Sequence, residues 1–152
     1  MSIQRQLAQL GLALPDPPNP AGSYRAAVCH RGLLWISGQF PMENGTVKYR
    51  GRVGAELSAD QGYEAARLAG LNVLAQIHRA VGFERLETLL RVEGHVSSAP
   101  GFSGQPKVLD GASELFTQIL GDRGRHTRTA FAPQQLPLDA TVELVVTAGV
   151  VP

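Results

Sequence analysis

Apolar positions along the chain come in short runs whose spacing changes repeatedly, and each spacing predicts an element. Ile3, Leu7 and Leu10 lie at helical intervals and Gly11 follows as a stop, which predicts a short leading helix. The segment LPDPPNPAGS, residues 14–23, carries Pro15, Pro17, Pro18 and Pro20 and cannot join a sheet ladder, so it reads as an extended surface loop. YRAAVCH (24–30) and LLWISGQF (33–40) are two β-prone runs separated by Arg31-Gly32, a hairpin turn. From residue 41 to 57 the pattern breaks into a glycine-punctuated loop with one short strand around 47–49.

Ser58 then opens a long helix. Gln61 completes a capping box, Tyr63, Ala66, Gly70, Val73, Leu74, Ile77 and Val81 recur on one face, and Gly82 ends it. LLRVEGHV (89–96) alternates, with Leu90, Val92, Gly94 and Val96 on one side and Arg91, Glu93 and His95 on the other. A second helix follows Ser103, with Pro106 in its first turn, a stripe from Val108 to Leu120, and Gly111 as a local weakness. TRTAFA and TVELVVTAGVV supply two closing strands. The order ββαβαββ predicts an α+β two-layer sandwich with two helices on one face of a mixed sheet. On the last strand the opposite face would carry Thr141, Glu143, Val145 and Thr147, and a chain of this size has no third layer to cover it. Self-association through that face is the expected remedy.

The 152 residues fit one domain, 1–152, in which residues 1–23 form a helix and a proline-rich lead-in. A net charge of +1 gives no basic field of the kind that marks a dedicated nucleic-acid binder. With one cysteine, Cys29, no internal disulfide is available, and the four histidines form no metal-ligand spacing. No apolar stretch reaches a membrane-spanning length and no signal-peptide pattern leads the chain, so a cytoplasmic protein is the default. Gly-rich phosphate or dinucleotide loops are missing, and nothing suggests a built-in cofactor.

Candidate chemistry is sparse. There is no nucleophile elbow, and His30 beside Cys29 points to the other face of its strand. Arg123, Arg125, His126 and Arg128 form the densest positive cluster, which reads either as a solvated loop or as a site; His126 is taken as loop. Arg128 shares a strand face with Ala130 and Ala132, whose small side chains leave room before the guanidinium for a carboxylate. Glu143 meets such a ligand if its strand neighbours that of Arg128; otherwise it is an ion-pair partner of Arg128 or Arg91. His95 reads as a surface or interface histidine, or as a general base.

ISGQFPM at 36–42, the helix SxxQGYEAARLAGLNVLAQIHRAVG and RTAFAPQQLPLDATVELVV at 128–146 together resemble the RidA/YjgF family of reactive-intermediate deaminases, also labelled L-PSP endoribonucleases. The resemblance runs from Gly22 onward, to a longer branch of that family. It implies a chorismate-mutase-like fold and a homotrimer with three ligand clefts between subunits. By the same resemblance Arg128 binds a substrate carboxylate, Gly38 meets it through its backbone, Tyr24 lines the cleft and Glu143 helps hold the attacking water. Ala130 stands where the family often has cysteine and would offer only its backbone carbonyl. Asp110 falls near the family's cleft asparagine and would repel a second carboxylate if it faces the cleft.

The function so implied is cofactor-independent hydrolysis of small 2-imino or enamine acids to 2-oxo acids and ammonia. The rivals are a non-catalytic carboxylate-binding trimer and an RNA-binding or RNA-cleaving protein, the last disfavoured by the charge and by the lack of aromatics on a basic strand.

Overall fold

The structure, a computed structural model, describes residues 1–152. Its elements are α1 (Ile3–Gln9), β1 (Ala27–His30), β2 (Leu33–Gln39), β3 (Met42–Glu43), β4 (Thr46–Val47), α2 (Ala59–Val81), β5 (Leu86–Val96), α3 (Gln105–Leu120), β6 (Thr127–Phe131) and β7 (Val142–Val150). Five strands form one sheet in the order β1-β2-β7-β5-β6, antiparallel except for the β5–β6 pair. The three helices lie on one face, so the expected α+β two-layer arrangement is present, with α1 as a short third helix.

Both hairpins turn on two residues with positive φ, Arg31-Gly32 (48° and 79°) and Asn44-Gly45 (52° and 80°), the backbone that matches the twist of paired strands. The second hairpin is β3–β4, where the sequence predicted a lone strand near 47–49. The first strand begins at Ala27 rather than at residue 24, which leaves Tyr24 in the preceding loop.

α2 starts as predicted, with Ser58 and Gln61 bonded reciprocally, and stops at Gly82 with φ 74°. Its middle is buried all round from Leu71 to Ile77, not along one stripe, because the proline-rich lead-in covers its back. Two polar side chains hold the segments laid over α2, Asn72 the β2–β3 connection and Gln76 the lead-in. Asn72 Nδ2 donates to the carbonyls of Phe40 and Met42, and Gln76 Nε2 donates to the Pro18 carbonyl at 2.8 Å and to Gln39 Oε1 at 3.3 Å.

Two further expectations need correction. β5 begins at Leu86, and a register shift between Leu89 and Arg91 turns Leu89 into the core and Leu90 out to solvent. Gly111 is no weakness: a Cβ there would fall on the Tyr63 carbonyl oxygen, so its absence lets α3 press against α2. The N-cap of α3 is Gly104, without a side-chain cap.

The uncovered sheet face carries Val28, Trp35, Leu90 and Phe131, all exposed, around Arg91, Glu93, His95, Glu143 and Thr147. No helix is long and apolar enough to cross a membrane.

Candidate functional site

Glu143 stands on the uncovered face of β7, level with His95 of β5. On its other side β2 is bulged between Ile36 and Gln39, which turns Gly38 toward it; a Cβ on Gly38 would collide with the Glu143 carboxylate. Only the backbone of Glu143 is engaged: His95 Nδ1 donates to its carbonyl at 3.3 Å. The carboxylate takes part in none of the five ion pairs of the chain, and Arg91, one expected partner, binds Glu93 and Thr129 instead. Burial raises the Glu143 pKa above the ordinary carboxylate value, with His95 opposing the shift. The His95 ring is itself stacked on Phe131, with centroids 4.9 Å apart.

Tyr24 lies beside this corner. It lines a cavity with Pro18, Asn19, Ser37, Gly38 and Phe40, and its hydroxyl accepts from the Ala21 N–H at 3.1 Å. The lead-in that α2 holds down therefore forms one wall of the cavity. Gly38 is the common neighbour: it lines the cavity with Tyr24 and lies against the Glu143 carboxylate.

Arg128 is elsewhere. Its register partner is Val92, a core residue beneath the helices, so Arg128 faces the helix layer whereas Glu143 faces away from it. Its Nη1 donates to Asp110 Oδ1 at 2.9 Å and to Ser113 Oγ at 3.1 Å, and Nη2 donates to the Pro106 carbonyl at 3.2 Å. Asp110 is thus neutralised by Arg128. Ala130, opposite Gly94, shares the Arg128 face. The meeting of Arg128 and Glu143 on adjoining strands does not occur, since β5 lies between β6 and β7. The expected site residues thus fall into two groups on opposite faces of the sheet: Tyr24, Gly38 and Glu143 in one, Arg128 and Ala130 in the other.

The rest of the basic cluster divides by role. Arg123 Nη1 donates to the carbonyls of Phe83 (3.3 Å) and Leu86 (2.9 Å), fastening the turn after α3 to the start of β5. Arg125 is exposed and pairs with Asp122 at 3.1 Å. His126 lies in a loop, as expected, and is half-buried there, with Nδ1 2.7 Å from the Gly124 carbonyl and Nε2 2.8 Å from Ser113 Oγ. The sequence carries no signal for this pair, because Ser113 lies on α3 and His126 in the loop before β6, and they meet only through the packing of that loop against the helix.

The family model described as "YjgF/chorismate_mutase-like, putative endoribonuclease" matches residues 4–149. A Trypanosoma cruzi relative, Protein TCP17, is 35% identical over 144 residues, covering 93% of this chain and 90% of that protein. A Shewanella oneidensis crystal structure, also carrying the endoribonuclease description, superposes with a TM-score of 0.95 at 34% identity, covering 98% of this chain and 99% of the other. The crystal structure of RidA from the Antarctic bacterium Psychrobacter has a TM-score of 0.63 at 22% identity over 88% of this chain and 94% of that one, a likeness of fold alone.

Proposed function

The chain belongs to the YjgF/RidA family, and from that premise we propose that it hydrolyses small 2-imino or enamine acids to 2-oxo acids and ammonia, without a cofactor, in clefts between copies of itself. The observation that carries this reading is the separation of the two groups of site residues. Groups on opposite faces of one sheet can serve one small ligand only if a second copy brings the missing half. A two-fold dimer and a closed ring both bring unlike groups of identical chains together, and the trimer among these is what the resemblance to the family implies.

In such a cleft Arg128 of one copy clamps the substrate carboxylate. Of its five N–H donors, the contacts to Asp110, Ser113 and Pro106 use three, which leaves two for a ligand without displacing Asp110. The Gly38 backbone of the other copy meets the same carboxylate, Tyr24 closes the pocket and the Ala130 carbonyl helps orient a water. Glu143 takes a proton from that water as its oxygen bonds to the imine carbon. The raised pKa of Glu143 suits a group that must accept a proton and then release it to the departing nitrogen. Collapse of the adduct yields the 2-oxo acid and ammonia. Imines hydrolyse unaided, so general catalysis of about 10²- to 10⁴-fold is all that is asked of the site.

The test is subunit complementation. Imine is generated by a threonine dehydratase with semicarbazide competing for it, and diversion to 2-oxobutanoate is measured for Glu143→Gln, for Arg128→Ala, and for the two unfolded and refolded together. Each variant alone should be inactive, and the mixture should regain activity in about a quarter of its clefts, those combining an intact Glu143 with an intact Arg128 from the neighbour. A mixture as inactive as its parents would overturn the shared cleft. Parent activity equal to that of the unaltered protein would overturn the residue roles.

A further inference from the structure

Behind Arg128, on the outer side of α3, Ser113 and His126 make a hydrogen-bond chain whose direction is fixed by chemistry. A backbone carbonyl can only accept, so the 2.7 Å contact to the Gly124 oxygen places the ring proton of neutral His126 on Nδ1. Nε2 is then a bare acceptor, and the 2.8 Å contact to Ser113 Oγ is the serine hydroxyl donating to it. Arg128 Nη1 donates to the same Oγ at 3.1 Å. The oxygen thus faces a base that can take its proton and a cation that stabilises the charge left behind.

This arrangement departs from the ordinary habit of a helical serine, which returns its hydroxyl to a carbonyl one turn back. Thr117, one turn further along α3, follows that habit and donates to the carbonyls of Ser113 and Glu114. Ser113 does not. The imidazole is held as firmly as the hydroxyl: Phe116 meets it edge-on at 5.8 Å, and Gly124 packs so closely on the Phe116 carbonyl that no Cβ would fit. Burial, with Arg128 adding to it, lowers the His126 pKa and keeps the ring neutral near pH 7.

We infer that Ser113 is an activated nucleophile with His126 as its general base, and that it accepts acyl groups from small polar esters. The chain needs no neighbouring copy for this; the site shares Arg128 with the cleft proposed above, whereas Ser113 and His126 have no part in the imine chemistry. The surface depression over Ser113 is lined by Thr117, Arg125, His126 and Arg128 with no apolar side chain, which favours a small anionic acyl donor over a lipid. In the reaction Ser113 Oγ bonds to the ester carbonyl carbon while its proton passes to His126 Nε2, and the negative oxygen of the adduct meets the two guanidinium groups. The carbon–alkoxide bond then breaks, and His126 gives its proton to the leaving alcohol. Water hydrolyses the acyl-serine by the same route, so one ester and one water become one acid and one alcohol.

The test uses diisopropyl fluorophosphate on the full chain, followed by mass spectrometry. Oγ bonds to phosphorus, fluoride leaves and the proton goes to His126. One adduct per chain on Ser113 is expected, absent in Ser113→Ala and formed at an undiminished rate in Glu143→Gln. His126→Gln keeps the serine and should slow labelling roughly a hundredfold, with an unaltered circular-dichroism melt showing that the fold survives. Labelling of any other residue, no labelling of the folded protein, or a rate that His126→Gln leaves unchanged would each overturn the inference.

Discussion

Glu143 is a carboxylate placed where folding disfavours its charge, and that placement has a measurable signature. Its pKa is raised in the folded protein, so below the unfolded carboxyl value of about 4.3 both states hold the proton and nothing is lost. As pH rises through the folded value, the folded state gives up a proton it holds more tightly than the unfolded state does, and stability falls. Glu143→Gln should therefore melt higher than the unaltered protein at pH 7, and the gap should close below about pH 4. A gap of the same size at both pH values would mean that packing, not charge, is responsible. A residue kept at a cost to the fold is a functional candidate. The sequence exposed Glu143 as a polar residue in an alternating strand. It could not show that β5 would separate it from Arg128, because strand order is set by which apolar faces find each other at long range.

Elements close in sequence were legible where local chemistry decides. The capping box of α2, the Gly82 stop and the Arg31-Gly32 turn stand where the residue types place them, since caps and positive-φ turns are properties of a few adjacent residues. The bulge that exchanges Leu89 for Leu90 was not legible, because strict alternation gives no hint of an irregularity imposed by β7. Gly111 was misjudged for a related reason. Helix propensity sees only the missing side chain, whereas the crossing of α2 over α3 makes use of the space. Gly111→Ala should raise intrinsic helix propensity and still lower the melting temperature by roughly 3 to 10 °C, since overpacking costs about 1 to 3 kcal/mol in a domain of this size. Calorimetry decides between the two effects, and a higher Tm would mean that the helices can part at no cost.

At the scale of the molecule, the uncovered face exposes Val28 beside Trp35 on one flank and Leu90 and Phe131 on the other, with Thr147, Arg91, Glu93 and His95 between them. Trp35, at 52% exposure, is the largest of these. If the proposed clefts form through this face, Trp35→Glu should turn an oligomer into a monomer by light scattering at micromolar concentration, with the far-ultraviolet spectrum retained and the proposed imine hydrolysis lost. A variant that kept both its mass in solution and its activity would remove this face from the assembly.

The place of β7 has its own consequence. The last strand of the sheet is also its middle one, paired on one side with β2 and on the other with β5. Until residues 142–150 leave the ribosome, the β1–β2 hairpin and the β5–β6 pair have no common partner, and the apolar faces of α2 and α3 have only half a sheet to rest on. Synthesis from the N-terminus thus builds two unfinished halves that close in one late step. Every nascent chain passes through an interval in which its hydrophobic surface is exposed, and a ribosome stalled anywhere before Val142 holds a polypeptide fit for a chaperone.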